Sequence, residues 1–369
     1  MSGLSSQYTS ESFKPLLNKL VQTPEYFSAE DLKRSLEHLF TQKALTPVQI
    51  GAFLTALHLH RVERRPENLA AAASVLRRLA LKADVKEREG DFVVDIVGTG
   101  GDGYNLFNVS TTAGIVAAGA GARVIKHGSR ASTSSSGSAD LLQSLHCLFP
   151  VPSPDINNPI PRIPFTFILA PHYHPSLAYI APYRKQLPFR TMFNILGPLL
   201  NPAKPSGMVL GIADENIGDT YARSLREGGV ERVMIVCGYE ALDEISCAGP
   251  THVWSFAPGN DGIKYETITP DMFGVETHPL DHVKGGSPDE NARTFEHLLH
   301  RSGGAPVEPD LKPVLDFVLI NASALLVVAG IAKDYKEGTR LALESVVSGK
   351  AWEALQIFRE QGEKAVLQS

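Results

Sequence analysis

The sequence predicts an α/β fold preceded by a smaller all-helical domain. Two observations carry this. Through about residue 85, apolar residues recur at helical spacing with no strand-like alternation, whereas from Asp91 onward short apolar runs alternate with polar loops and helical segments.

In FSAEDLKRSLEHLF, Ser28 caps the turn that contains Asp31, and Leu32, Leu36 and Leu39 form one apolar stripe. LTPVQIGAFLTALHLHRV has Thr46 as its cap and Pro47 at the first helical position, where a missing N–H costs nothing. ENLAAAASVLRRLALKA adds an alanine- and leucine-rich helix. The composition then shifts at DFVVDIVGTG, where residues 92–97 read as a buried strand ended by glycines. STTAGIVAAGAGA follows as a helix starting near Ser110 or Thr111, ARVIKHG as a strand and GSADLLQSLHCL as a helix. Between Pro150 and Pro188 prolines are frequent; FPVPSPDINNPIPRIP excludes a regular helix and reads as an irregular connection. GMVLGIAD, ERVMIVCG and THVWSF read as strands, with DTYARSLREGG helical between the first two. Residues 262–309 are polar and weakly patterned, and LDFVLINASALLVVAGIA and YKEGTRLALESVVSGKAWEALQIFREQ close the chain as helices.

A chain of 369 residues is long enough for a substantial core and for more than one structural region. Its formal net charge of -5 opposes nonspecific attraction to nucleic acid or to anionic membrane. Cys147, Cys237 and Cys247 are too scattered for a disulfide scaffold and form no CxxC pair, which suits a reducing compartment. The segment MSGLSSQYTSESFKPLLNKL has neither an apolar signal region nor an Arg-rich amphipathic pattern, and the longest apolar stretches contain glycine or fall short of a bilayer. A cytoplasmic enzyme is the expectation.

Four segments carry candidate chemistry. Gly98, Gly100, Gly101 and Gly103 free consecutive N–H groups to face an anion, and a helix starting just beyond adds its own unpaired N–H groups. The competing reading is a tight turn with Ser110 as a simple cap. In RVIKHGSRASTSSSGSAD, Lys126, His127 and Arg130 follow a strand, and a run of hydroxyls precedes a helix, so the two loops together suit a phosphorylated ligand. A serine-rich linker is the alternative. Asp243 and Glu244 follow the strand ERVMIVCG, a placement suited to Mg²⁺ shared with water and phosphate, although such pairs also occur on solvated loops. Arg184 and Arg190 suit a carboxylate or phosphate, while His172 and His174 lie near aromatic residues and are either functional or packed. No Cys or His spacing supplies a zinc set, and there is no G-x-S-x-G elbow.

Taken together, QIGAFLTAL, GTGGDG, FNVST, KHGSRA, GSADLL, HPS, RTMFNILGPLLNP, LDEIS and INASALL resemble the anthranilate phosphoribosyltransferases over most of the chain. The resemblance implies a central mixed, mostly parallel sheet flanked by helices. It implies a helical domain at 1–87 with part of 172–202 packing against it, and an α/β domain at 88–171 and 203–369. The implied reaction is Mg²⁺-assisted transfer of the phosphoribosyl group of 5-phosphoribosyl 1-diphosphate (PRPP) to the amine of anthranilate, for tryptophan biosynthesis. Carried over by position, the PRPP contacts are Gly98, Gly101, Asp102, Asn108, Val109, Ser110, Thr111, Lys126, His127, Gly128, Ser129, Arg130, Ala131, Ser132, Thr133, Ser134 and Ser138. The anthranilate contacts are Gly98, Ser129, His174 and Arg184, and the metal ligands Ser110, Asp243 and Glu244. Lys126, His127 and Arg184 are the electrostatic and positioning candidates, with no obligatory nucleophile or base. A homodimer through the helical domain is also implied. The chain departs from the family pattern at Ser129, where an amide is usual, and at Thr133–Gly137, which lacks a lysine. A pyrimidine-nucleoside phosphorylase on the same fold and a non-catalytic binding protein are the alternatives.

Overall fold

The computed structural model describes residues 7–86, 90–131, 134–155, 158–259, 262–300 and 308–367. Four helices open it: α1 (Ser10–Gln22), α2 (Ala29–Phe40), α3 (Pro47–His60) and α4 (Pro66–Leu79). The first three begin at capping boxes, Thr9 with Ser12, Ser28 with Asp31 and Thr46 with Gln49, which satisfy backbone N–H groups that a helix start leaves unpaired.

Beyond them the chain runs through β1 (Ala83–Val85), β2 (Val93–Gly98), α5 (Val109–Gly119), β3 (Arg123–Gly128), α6 (Ser138–Ser144), β4 (Asn158–Ile160), β5 (Phe165–Leu169), α7 (Ala170–Tyr173), α8 (Pro175–Arg184) and α9 (Phe193–Leu196). It continues with β6 (Gly207–Gly211), α10 (Gly218–Glu227), β7 (Arg232–Gly238), β8 (Thr251–Phe256), β9 (Lys264–Ile268), α11 (Pro288–Leu299), α12 (Lys312–Val328), α13 (Tyr335–Val347) and α14 (Lys350–Leu367). Strands β1 and β4 form a small parallel pair. The main sheet has the order β5-β3-β2-β6-β7-β8-β9, parallel through β7 and antiparallel for the last two strands. This is the mixed, mostly parallel sheet expected.

Alternation along the strands sorts side chains between two layers. Val209, Met234 and Val236 face a cluster with α5, α11, α12, α13 and α14. Met208, Leu210, Val233 and Ile235 face the other way, into a cluster that also holds the four N-terminal helices, α10, Ile180 of α8 and Phe193 and Leu196 of α9. The strand order reverses direction between β2 and β6, and a crevice opens at the carboxyl ends of strands at such a switch point.

Several elements differ from the sequence reading. The first long strand starts at Val93, and α5 starts at Val109 with Asn108 in the cap position. The proline-rich stretch is irregular only in its first part: Phe165–Leu169 is a fully buried strand, and α8 accommodates Pro175 in its first turn and Pro182 within it. Residues 262–309 contain β9 and α11, the latter opened by a Ser287–Glu290 capping box. The final helical segment breaks at Gly349, whose φ of 79° ends α13. Residues 309–328 are long and apolar enough to cross a membrane, contrary to the expectation from sequence, but they are mostly buried as the core helix α12 and the turn before it.

Two features of this packing bear on stability. Asn321 of α12 is fully buried; its Oδ1 accepts the Ile245 N–H at 3.1 Å and its Nδ2 donates to the Ile245 and Phe317 carbonyls at 3.2 and 3.0 Å. His127, on β3, and His174, just before α8, are buried edge to face with ring centroids 5.2 Å apart. Burial holds both below the usual histidine range, His127 at about 3 with His174 adding to the effect, and His174 at about 4.

Asn321→Leu strips partners from a buried backbone N–H and C=O, and we expect a loss of about 2–4 kcal/mol in urea unfolding. Below pH 6.5 the unfolded chain binds histidine protons that the native chain refuses, so each histidine withdraws up to about 1.4 kcal/mol of stability per pH unit on acidification. His174→Gln is expected to lose less stability than the wild type between pH 6.5 and 4.5, measured as the difference between their urea midpoints; parallel profiles exclude a neutral buried His174.

Candidate active site

Asp243 and Glu244 follow β7 after a turn closed by Gly238 N–H to the Leu242 carbonyl, 2.8 Å. The turn lays Asp243 across the carboxyl ends of β2 and β6. Their last residues, Gly98 and Gly211, are register partners. A Cβ at Gly98 would overlap the Asp243 carboxylate and one at Gly211 its backbone carbonyl, so only glycines leave room for this crossing. The Asp243 Oδ2 accepts the Gly100 N–H at 2.6 Å, and Asn321 holds Ile245, two residues on, at its backbone.

The local electrostatics are strained toward excess negative charge. Burial, then the neighbouring Asp102, pushes the Asp243 carboxyl up to about 7. Burial and Asp243 push Glu244 well above the carboxylate range, with Lys126 and Ser110 opposing. Deeper in, burial raises Asp95 to about 6 against the pull of Lys126 and an Asn201 Nδ2 donor at 2.9 Å. Lys126 is 1% exposed; its Nζ donates to the Ile96 carbonyl and, at 3.2 Å, to Ser110 Oγ. Burial lowers its affinity for a proton, while Asp95, Glu244 and Asp243 raise it. A cation bound beside Asp243 and Glu244 relieves this imbalance. The donors are hard oxygens, two carboxylates with the Ser110 hydroxyl nearby, and among the described residues no three His, Cys, Asp or Glu side chains form a closed metal cage. That donor set fits Mg²⁺, which retains waters and takes substrate phosphate oxygens.

A polar cavity of about 310 Å³ lies over this cluster. Of the residues expected to contact PRPP, Gly98, Gly101, Asp102, Asn108, Val109, Ser110, Lys126, His127, Gly128, Ser129, Arg130, Ala131, Ser134 and Ser138 line it. Thr111 does not: it is fully buried in the first turn of α5, and its hydroxyl has no hydrogen-bond partner. Ser132 and Thr133 lie outside the described residues. The Asn108 amide is committed to protein: Nδ2 donates to the Ser136 carbonyl at 2.9 Å, while Oδ1 accepts from Ser136 Oγ at 3.0 Å and from Asn291 Nδ2 at 2.8 Å. It therefore ties the start of α5 to the serine loop and to α11. Asp140 organises the other end of that loop, accepting the Ala131 and Gly137 N–H groups at 2.8 and 3.0 Å and Arg130 Nη1 at 3.1 Å.

Sequence reasoning missed Asn291 and Asp140 as supports. The GSADLL motif holds Asp140 at the third position of α6, where a carboxylate accepts the N–H of the cap residue, Gly137; Asn291 had no such signal.

A second cavity, about 490 Å³ and more apolar, adjoins the first. Ser129, His174 and Arg184 line it, as do Arg190, Leu177, Ala181 and Phe193. Gly98, also expected to face anthranilate, lines the polar cavity instead. Arg184 stacks over Phe193, 5.4 Å from Cζ to the ring centroid, and its buried Nε has no partner. Burial lowers its pKa. The two cavities share Thr99, Gly100, Gly101, Ser129 and Arg130 as a common wall.

Residues 14–80 match the helical bundle domain of a glycosyl transferase family, and residues 90–352 match the a/b domain of the same family. An anthranilate phosphoribosyltransferase from Schizosaccharomyces pombe is 43% identical over 330 residues, 89% of this chain and 91% of that protein. One from a Synechococcus strain is 39% identical over 317 residues, covering 86% and 87%. The anthranilate phosphoribosyltransferase of Saccharomyces cerevisiae in complex with PRPP and Mg superposes with a TM-score of 0.87 at 33% identity, over 97% of this chain and 99% of that one. The same enzyme in complex with 4-fluoroanthranilate gives 0.85 at 31%, with the same coverage. Matched across both domains in sequence and in fold, this chain belongs to the anthranilate phosphoribosyltransferase family.

Proposed function

We propose that this protein transfers the 5-phosphoribosyl group of PRPP to the amine of anthranilate, forming N-(5-phosphoribosyl)anthranilate and diphosphate in tryptophan biosynthesis. The observation that carries the reading is the wall at Thr99–Gly101 and Ser129–Arg130, which a polar cavity and an apolar, arginine-bearing cavity share. Two substrates seated on either side meet there, as a direct transfer between them requires.

In this reading PRPP lies in the polar cavity, against the glycine turn Gly98–Asp102, the start of α5 at Asn108–Ser110, and Lys126–Ala131 with Ser134 and Ser138. Its diphosphate faces the N–H groups of the turn and of the helix start, which suit an anion. Ser110, Asp243 and Glu244 hold Mg²⁺, which when bound supplies positive charge to the departing diphosphate. Lys126 balances the acid cluster from below. Anthranilate enters the second cavity with its carboxylate on the planar donor fork of Arg184 and its ring among Leu177, Ala181 and Phe193. Ser129 and His174 complete that side.

The amine attacks ribose C1 as the bond to diphosphate breaks. An aromatic amine is neutral and nucleophilic, so attack needs no base, and its proton leaves after the C–N bond forms. His127 is held neutral and serves as an orienting group. Alignment of two substrates and stabilisation of the leaving group are each worth several kcal/mol, roughly 3–10 in comparable systems.

We further assign a helical domain to residues 1–87, with part of 172–202 packed on it, and the α/β domain to 88–171 and 203–369; the cluster that joins α1–α4 to Ile180, Phe193 and Leu196 supports the placing of 172–202, and it continues into β6, β7 and α10, where the two domains meet. Closure of the two domains around both substrates excludes water from the ribosyl centre. A homodimer through the helical domain is supported by exposed Val21, Tyr26, Val48 and Leu59 on that bundle. Three free, buried cysteines support a cytoplasmic location.

The direct test is mass-spectrometric detection of phosphoribosylanthranilate from PRPP and anthranilate, with and without Mg²⁺, against a reaction of nucleoside with phosphate. Turnover only of the nucleoside would overturn the reading. Arg184→Ala is expected to raise KM for anthranilate by about 10- to 100-fold, the worth of a charged hydrogen bond, with a smaller change for PRPP; equal changes reject its carboxylate role. The Asp243→Asn, Glu244→Gln double variant is expected to lower kcat by at least about 100-fold and to shift the Mg²⁺ titration of activity; an unchanged titration removes the metal assignment.

A further inference from the structure

Arg190 lies in the connection between α8 and α9 and lines the apolar cavity with Arg184 and with Arg130, which is paired with Asp140. Its guanidinium lies against the backbone of Gly101, which has φ of 82°; a Cβ there would overlap Nη1 and Cζ. Nη2 donates to the Thr99 carbonyl at 3.1 Å. Arg190 thus grips the glycine turn from the amine side, while Asp243 grips it from the metal side through the Gly100 N–H. The turn itself continues the sheet, with the Thr99 N–H donating to the Gly211 carbonyl at 2.9 Å.

Arg184 and Arg190 differ in what they are free to do. Arg184 is half-buried and stacked on Phe193, so its position is set by packing. Arg190 is exposed, and its hydrogen bond among the described residues is to a loop that walls both cavities. An anionic ring compound in the apolar cavity places its charge near these two arginines, the third, Arg130, being paired with Asp140. Any pull on Arg190 is delivered to Thr99 and Gly101, one and three residues beyond the end of β2 and lining the space where a diphosphate would lie.

We propose that Arg190 is a positioning residue that couples the two substrates: a carboxylate in the apolar cavity fixes its guanidinium, the guanidinium fixes the glycine turn, and the polar cavity then binds its phosphorylated ligand more tightly. This deepens the transfer reading and rests on it. The coupling is a free energy shared between two sites, so it runs equally in both directions.

The test uses salicylate, which keeps the ring and carboxylate of anthranilate but carries a hydroxyl in place of the nucleophilic amine. PRPP with Mg²⁺ is titrated calorimetrically into the full-length protein with and without saturating salicylate. The wild type is expected to bind PRPP at least about fivefold more tightly with salicylate present, within the usual range for coupled sites. Arg190→Gln is expected to reduce that ratio below about twofold, whereas Arg184→Gln weakens salicylate itself but retains the ratio once salicylate is saturating. A loss confined to stability lowers the melting temperature without changing the ratio, which separates a structural role from a coupling one. An unchanged ratio in Arg190→Gln, or none in the wild type, overturns the proposal while leaving the transfer reading intact. A wild type that binds no PRPP overturns that reading, and this proposal with it.

Discussion

The site depends on one steric crossing, in which the main chain at Asp243 passes over the paired ends of β2 and β6. Parallel strands present a row of backbone at their carboxyl ends, and a loop lies flat on that row only if nothing projects from it. Gly98 and Gly211 supply the gap from two different strands in register. Because the loop sits so low, the Asp243 carboxylate reaches the Gly100 N–H directly. The carboxylate pair and the glycine turn are therefore positioned by the same contact. Asn321 completes the arrangement by pairing with both backbone groups of Ile245.

That closeness has an electrostatic consequence. Asp95, Asp243 and Glu244 gather near one buried amine, with Asp102 beside the last two, and burial raises the pKa of Asp95, Asp243 and Glu244. Burying like charges costs several kcal/mol unless they are paired, so a fold that does so at a strand-end crevice is storing affinity for cations. Lys126 answers part of the demand but is itself consumed, its Nζ bonded to Ile96 and Ser110. The remainder is available to a divalent ion and, through it, to a phosphorylated substrate.

Much of this was legible in sequence, and the reasons are local. Glycines after an apolar run, a Lys-His-Gly strand end and an Asp-Glu pair are short-range signals, and each sits at a strand terminus because its neighbours fix the strand. The caps at Ser28 and Thr46 were readable for the same reason. Strand β5 was obscured by flanking prolines, although Phe165–Leu169 is buried throughout. Helix α11 was obscured because its outer face is charged and its apolar residues are few. What single-sequence reading could not reach was the long-range pairing: Asn291 meeting Asn108 across 183 positions, or Asn321 meeting Ile245 across 76. Those partners are set by topology, and a polar residue in an apolar helix gives no hint of its destination.

The same topology explains why the two histidines beside the site are neutral. His127 lies one residue before the end of β3 and His174 caps α8, and they meet where the polar and apolar cavities approach each other. A charged imidazole there would compete with Lys126 and with any metal for the acid cluster, and would repel a second cation. Held below its usual range by burial, each ring instead contributes volume and polarity without charge. The cationic functions are thereby divided by position: Lys126 beneath the phosphate cavity, Arg184 and Arg190 along the apolar one. A reaction between a diphosphate ester and a carboxylate-bearing amine brings two anions together. Separating Lys126 from Arg184 and Arg190, on either side of the wall formed by the glycine turn, Ser129 and Arg130, lets each anion find its own partner before the reacting atoms meet.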